Sequence, residues 1–528
     1  MTTHRAPNVE RRAFSGSVAN IASIAAILLQ NLALVPVLLH CWTPGTYGVW
    51  ITLLAVQSLL FNVNYGQEAY VGYESARLLH KDRAALPDVI GAGIFLGIAL
   101  GLLEVGLIIA LGLTHFTRLL GIPAESGSGD EWKFLVVIVG SWVGFGSAAN
   151  VLVRIAYALG FYSTFTLYSV FFRVLVTLAI AISATCGAGL QGAAIAYGLA
   201  TLLTQATLMA LALRLLRQHS VAIARPRLAL ISGILKNGAV LSGTSLLDAF
   251  SNNGLLTIIS SVLTPRFVPS FSTLRTVANT ANQGVGVIMH PLDPDIIRYR
   301  ARNEFHKLSE IFGVCWAIAG SSINLGLCLL PLFIEPLYRV WTRGKLSFDL
   351  PLFSLLALSV ALRTFGHPAM AYLQATNAIS AQARISVIRA ALVISLSLVL
   401  IHPLGLFGVG AALAISELIG AAALPVWYAM QAFAASDIRF PKQRMLKAIA
   451  SVTVVGITFA TCCRYPALKG GICSAACLTI AILAWVQWVM LHVETRGRML
   501  SILHIPKWST QSNPLADEPI GKVESALR

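Results

Sequence analysis

The sequence predicts an all-α polytopic membrane protein of about 14 transmembrane helices: two parallel six-helix repeats followed by two C-terminal helices. Three observations predict it. Hydrophobic residues fill 56% of the 528 positions, about 296 residues. A membrane-crossing helix takes roughly 20 mostly apolar residues, so fourteen take about 280. Charged residues are only 11%, against roughly 25% in an ordinary soluble domain. The apolar runs are continuous rather than alternating, which excludes an outer-membrane barrel. No polar stretch exceeds about 35 residues, which excludes a large soluble domain and a soluble enzyme.

The first apolar run, 17–40, follows a basic start ending at Arg12. It is too long for a signal-peptide core and reads as the first span. Further windows fall at 46–71, 89–113, 133–158, 164–186 and 190–213, then at 236–261, 268–292, 308–330, 349–373, 381–401 and 408–432. The last two are 446–464 and 471–491. Spans seven and eight are rich in Ser, Thr and Asn, as expected of helices lining a wet cavity. Pro36, Pro269, Pro291, Pro368 and Pro425 fall in or at the ends of spans, where proline kinks a helix. Most of the eight cysteines lie inside apolar runs without a C-x-x-C pair, so they read as small buried residues rather than a metal or redox site.

Basic residues orient the chain. With the N-terminus cytoplasmic, about 25 Lys and Arg fall on the inner side, including Arg77, Arg227, Arg298 and Arg444, and about 8 on the outer side, including Arg266, Arg339, Arg464 and Lys469. This bias places both termini on the cytoplasmic side. It also accounts for the formal net charge of +16 without a nucleic-acid partner.

Shifting the sequence against itself by 221 positions brings Thr43-Pro44 onto Thr264-Pro265, Thr52-Leu53 onto Thr273-Leu274, Asn31 onto Asn252 and Arg77 onto Arg298. A shift of 216 brings Arg173 onto Arg389 and Gly189-Leu190-x-Gly192 onto Gly405-Leu406-x-Gly408. The organisation expected is therefore an N-terminal six-helix lobe (1–215), a C-terminal six-helix lobe (230–432), two extra helices (446–491) and a cytoplasmic tail (492–528). Six is even, so the repeats are parallel, and two such bundles facing each other leave a cleft that rocking opens to either side.

Charges at membrane depth cost roughly 2.5–3.5 kcal/mol each on insertion scales and persist where they face protein or water. This chain places Arg154, Arg173, Arg275, Arg363 and Arg389 in its spans, with Glu68, Glu104, Asp248 and Glu417. Arg154 lies near a cytoplasmic end and can snorkel. Arg173, Arg275, Arg363 and Arg389 are candidate substrate-binding residues, because guanidinium forks match phosphate oxygens and stay charged. The competing reading is internal ion pairing with the carboxylates. Asp248, Glu104 and Glu417 are candidates for a coupling H+ or Na+. Asp248 is favoured among them by its sequence neighbours Ser242, Ser245, Asn252 and Asn253. On span eight, Asn279, Asn282 and Gln283 could contact sugars, or simply bond neighbouring helices.

The sequence has no phosphate-binding G-x-x-x-x-G-K-[ST] loop, no G-x-S-x-G and no H-E-x-x-H. Neither an ATPase motor nor an enzyme is expected, and no metal or cofactor beyond a coupling ion.

The stretch from Leu34-Val35-Pro36 through Trp42-Thr43-Pro44-Gly45-Thr46-Tyr47-Gly48-Val49-Trp50 and Gly66 to Glu74-Ser75-Ala76-Arg77 resembles the first two spans of bacterial polysaccharide flippases. Gly189-Leu190-Gln191-Gly192-Ala193-Ala194 resembles that family's opening of span six, and Gly405 to Ala412 its copy at span twelve. The family belongs to the multidrug, oligosaccharidyl-lipid and polysaccharide exporter superfamily. The resemblance implies export of a polyprenyl-pyrophosphate-linked oligosaccharide for surface polysaccharide synthesis (lipopolysaccharide or exopolysaccharide), with H+ or Na+ coupling. It also implies membrane lipids, a polysaccharide polymerase and chain-length machinery as partners. The mid-span arginines depart from the first-span placement of lipid-linked peptidoglycan precursor flippases, which argues against that substrate. The alternative is an ion-coupled multidrug or small-molecule exporter of the same superfamily.

Overall fold

Long apolar stretches without water must satisfy their backbone groups internally, and helices do so within one segment. A computed structural model describes residues 9–113, 120–122, 146–289, 296, 299, 304–376, 378–435 and 440–491, and among them there is no β-strand. In chain order the helices are α1 (Val9–Cys41), α2 (Pro44–Lys81), α3 (Leu86–Leu113), α4 (146–158), α5 (Tyr162–Thr185) and α6 (Gly189–Gln218). The chain continues with α7 (Leu228–Val262), α8 (Val268–Met289), α9 (His306–Trp341) and α10 (Leu350–Ala375). A run from 379 to 435 breaks at Gly405, whose φ of 57° and ψ of −136° are not helical, giving α11 (379–404) and α12 (406–435). The last two are α13 (Lys442–Arg464) and α14 (Lys469–Val489).

The break at Gly405 is a reversal of direction. Arg389 bonds Glu417, 28 positions away, whereas a straight helix would set them about 42 Å apart. Glycine is needed there because a left-handed φ is costly for a residue with a Cβ.

Eleven described segments are long and apolar enough to cross a membrane, and one of these is the folded-back run Ser380–Ala435. Two expected spans fall outside that set. The fourth is described only over 146–158, and α8 carries Thr276, Asn279 and Thr280 in its middle. The expected tail, 492–528, lies outside the described residues, as does Pro291.

Large apolar side chains point outward: Leu103 is 68% exposed, Val399 66% and Trp485 67%. On a membrane helix these are the surfaces that meet lipid. Inside, one apolar core joins α2, α3, α4, α5 and α6 around Val71, Ile90, Val151, Phe165 and Leu216. A larger core lies among α8 to α13 and takes in Leu38, Trp50 and Leu53 from α1 and α2.

The two halves of the chain meet along α2 and α7. Gly66 and Gly238 allow the approach: a Cβ on Gly66 would lie 2.1 Å from Ser242 N, and one on Gly238 would lie 2.9 Å from Gln67 Cα. Ser242 Oγ donates to Val63 O at 2.7 Å, Ser245 Oγ to Asn62 Oδ1 at 2.5 Å, and Asn253 Nδ2 to Ser58 Oγ at 2.8 Å. The polar residues of α7 therefore serve helix–helix bonding, not the wet wall their composition suggested. Side-chain hydrogen bonds of this kind hold membrane helices together, where apolar burial gives no preference for protein over lipid.

At the end of the bundle where α1 turns into α2, a second set of contacts ties the halves. Trp341 Nε1 donates to Leu32 O at 2.7 Å, Arg343 Nη1 lies 3.0 Å from His40 Nδ1, and Lys345 Nζ donates to Trp42 O at 3.2 Å. A Cβ on Gly48 would sit 1.8 Å from Pro265 O. Thr43-Pro44 and Thr264-Pro265, matched in the sequence, each precede the second helix of their half. Thr43 caps α2 by accepting from Thr46 N at 3.2 Å, and Pro265 opens the short turn before α8.

Candidate functional site

The charges of the second half converge on one place. Arg389 of α11 donates from Nη2 to Glu417 Oε1 at 2.6 Å and from Nε to the same oxygen at 3.1 Å. Its Nη1 donates to Asp248 Oδ1 of α7 at 3.4 Å. Arg389 and Glu417 are buried, with side chains 8% and 4% exposed, while that of Asp248 is 52% exposed. Arg363 of α10 interacts electrostatically with Glu417, Arg389 and Asp248. Arg275 of α8 interacts with Arg363, Glu417 and Arg389, and its guanidinium is held by the backbone carbonyl and the Oδ1 of Asn252.

Local backbone features build this cluster. Glu417 opens a π-helical turn, Glu417–Ala423, and a second, Phe250–Gly254, follows Asp248 and carries Asn252. Such turns widen the helix and are frequent at functional sites. Gly420 lets α11 press against the turn, since a Cβ there would lie 2.6 Å from Arg389 Cβ. Gly366 of α10 faces it from the other side, where a Cβ would lie 1.7 Å from Ala421 O.

With every group ionised the cluster holds three guanidiniums against two carboxylates. Glu417, buried and at 2.6 Å, holds Arg389 firmly, and the half-exposed Asp248 adds a weaker, solvent-screened contact. One positive charge in the cluster remains uncompensated.

Arg173 stands apart from that cluster. It lies on α5 and donates to Gln30 Oε1 of α1 at 3.3 Å. It lines a cavity of about 290 Å³ together with Asn150, Ser169, Tyr197, Thr201 and Gln205. Among the described residues no carboxylate pairs with it. Gln205 is buried, and its Oε1 has no hydrogen-bond partner among the described residues. Arg173 and Arg389 match at an offset of 216, and at that offset Thr201 stands where the second half has Glu417 and Ser147 where it has Arg363. The first half thus keeps the arginine and lacks the carboxylate.

A third polar group, on α2, α3 and α4, surrounds Glu68 and Glu104 with Gln67, Ser147 and Asn150, which the sequence reading did not single out. Glu68 accepts from Asn150 Nδ2 at 3.4 Å, and Gln67 Nε2 donates to Ser147 Oγ at 3.1 Å. Glu104 is 5% exposed, and neither carboxylate oxygen has a hydrogen-bond partner among the described residues. Arg154 sits over the Tyr65 ring at 5.4 Å, a cation–π contact.

The candidate residues therefore do not form a single set. Asp248, Arg275, Arg363, Arg389 and Glu417 come together; Arg173 and Glu104 lie elsewhere in the first half. Asn279 is half-buried on α8. Asn282 and Gln283 lie on the same helix, but their side chains are outside the described set. The sequence neighbours of Asp248 do not surround its carboxylate: Ser242 and Ser245 turn to α2, and Asn252 accepts from Arg275 while donating to the backbone oxygen of Asp248 at 2.9 Å. A signal for the cluster was present in the match of Arg173 to Arg389, but nothing along the chain shows that Asp248 lies beside Arg389.

No family model matches the sequence, and a search of curated proteins finds no significant relative. Solved structures do match. An inward-facing multidrug resistance MATE family transporter of the MOP superfamily has a TM-score of 0.60 at 16% identity, covering 80% of this chain and 96% of that one. The Lipid II flippase MurJ in an inward closed conformation has a TM-score of 0.61 at 12% identity, covering 90% and 99%. The Vibrio cholerae MATE transporter VcmN has a TM-score of 0.58 at 16% identity, covering 80% and 97%. At these identities the likeness is one of fold: the chain shares the helical architecture of these solved structures.

Proposed function

We propose that the chain is an inner-membrane flippase for polyprenyl-pyrophosphate-linked oligosaccharide repeat units, working by alternating access of two six-helix lobes. One observation carries this reading. Mid-membrane arginines outnumber their carboxylate partners, with Arg173 unpaired by any described carboxylate and a net positive charge in the Arg275–Arg363–Arg389 cluster. Guanidiniums in excess of carboxylates attract a pyrophosphate and repel cationic drugs. In the orientation set by the basic loops, the Trp341–Leu32 and Arg343–His40 contacts tie the two halves at the outer end. Asn279, Asn282 and Gln283 would meet the sugars. Asp248 and Glu417 are engaged by Arg389, so Glu104 is the carboxylate left to carry a coupling H+ or Na+. Membrane lipids surround the tail, and a polymerase with its chain-length machinery would take the product.

The test is deletion of the gene and analysis of lipid-linked glycans. Accumulation of cytoplasmic polyprenyl-linked units with loss of surface polysaccharide supports the proposal. Arg173→Gln and Arg389→Ala, present at normal levels, should each fail to restore it. A multidrug exporter is the second reading, favoured by the MATE transporters among the matching structures. It predicts unchanged glycans and heightened sensitivity to cationic dyes.

A further inference from the structure

The two helices outside the repeats form a hairpin, α13 and α14, joined by a single turn at Pro466–Leu468. This tight connection brings together cysteines 11 positions apart. Cys462 Sγ lies 3.9 Å from Cys473 Sγ, and both residues are fully buried. Cys328 of α9 packs beside them, its Sγ 3.7 Å from Thr458 Oγ1. Cys463 points elsewhere, its Sγ 3.4 Å from Ser354 Oγ on α10. Cys477 lies one turn beyond Cys473 on α14.

A disulfide needs its sulfurs at about 2.05 Å, so this pair has to close by about 1.9 Å, within the sweep of the two side chains. The site lies at the end of the bundle near Arg464 and Lys469. The basic-residue bias places that end on the outer side, and the inference rests on that orientation. There the environment is oxidising, and disulfides form and persist.

We propose that Cys462 and Cys473 form a disulfide that staples α13 to α14. Both thiols give up their protons, one sulfur–sulfur bond forms, and two electrons pass to an external disulfide oxidant, which is reduced to two thiols. Oxidation precedes packing against α9, because the folded pair is buried. The staple then fixes the hairpin as one unit with α9, against which α14 packs.

The sequence makes the test direct. Trypsin cuts after Arg464 and Lys469, so Cys462 and Cys473 fall in separate peptides, 448–464 and 470–496. The full chain is expressed in a bacterial inner membrane, thiols are blocked with N-ethylmaleimide before lysis, and the digest is read by mass spectrometry without reduction. The expected result is a cross-linked peptide pair that dithiothreitol separates. The link should persist in Cys463→Ser and Cys477→Ser and vanish in Cys462→Ser and Cys473→Ser. Full alkylation of both peptides, or a link that requires Cys463 or Cys477, overturns the proposal. A Leu468→Cys variant, built with all native cysteines replaced by Ser or Ala, is treated with a membrane-impermeant maleimide in intact spheroplasts. Labelling confirms the outer side; absence of labelling shows that the orientation has failed, and the proposed oxidising environment with it.

Discussion

Replacing Glu417 by Gln leaves the Arg389 guanidinium inside the bundle with one ionic partner instead of two. The pair that is lost is buried, its side chains 8% and 4% exposed, with a closest approach of 2.6 Å. Removing one member of a buried pair costs about 3–5 kcal/mol, because the other charge is left uncompensated. The remaining contact with Asp248 is longer, 3.4 Å, and that side chain is 52% exposed. Solvent screening reduces such a contact to about 0–1 kcal/mol. Glu417→Gln should therefore cost about 2–4 kcal/mol, and Asp248→Asn less than about 1 kcal/mol. Arg389→Met combined with Glu417→Gln removes both charges and should be less damaging than the sum of the single changes, with a coupling of about 2 kcal/mol. Thermal unfolding in detergent micelles, followed by tryptophan emission at pH 7, ranks the set. Wild type and Asp248→Asn should melt close together, and Glu417→Gln well below both. A Glu417→Gln protein that melts with the wild type, or strict additivity in the cycle, refutes the buried pair as the element holding α11 and α12 together.

Two further outcomes follow from the packing. Gly366→Ala places a methyl group 1.7 Å from the Ala421 carbonyl oxygen, and overpacking of this kind costs about 1–3 kcal/mol or more; size-exclusion profiles should lose the monodisperse peak, whereas Gly326→Ala, with nothing within 4 Å, should keep it. A His40→Cys, Arg343→Cys protein should be bridged by a short bis-methanethiosulfonate, since the tips of the native side chains meet at 3.0 Å, and the bridge should stop transport until it is reduced, as counted by maleimide mass-tagging beside the glycan readout.

How much was legible along the chain can be judged from particular residues. The positions of the helices were plain because each is a local property: apolar content over some twenty residues and a few turn signals. Even the reversal between α11 and α12 was visible, since Gly405 falls in the gap between the expected spans 381–401 and 408–432. Arg173, Arg275, Arg363 and Arg389 were also visible, because a charge within an apolar run stands out against its solvent cost. Their partners were not. Whether Arg389 faces a carboxylate or an open cavity depends on how α7, α11 and α12 are rotated about their axes, and no local pattern encodes that. The polar residues of α7 were misread for the same reason. Ser242 and Ser245 suit a wet wall as well as a helix seam, and Gly66 and Gly238 select the seam by letting α2 approach.

By itself, then, the sequence determined that the chain is a many-helix membrane protein, and it located the helices and the rare charges within them. Those features follow from what each segment can do when water is removed. The tertiary structure decided which charges are neutralised: Arg389 is held by Glu417 and Asp248, while Arg173 is left with Gln30 in a cavity of its own. The reason is that neutralisation depends on separations of 3–4 Å between helices far apart in the chain, and these are set by close glycine contacts and π-turns that act only once the helices have packed.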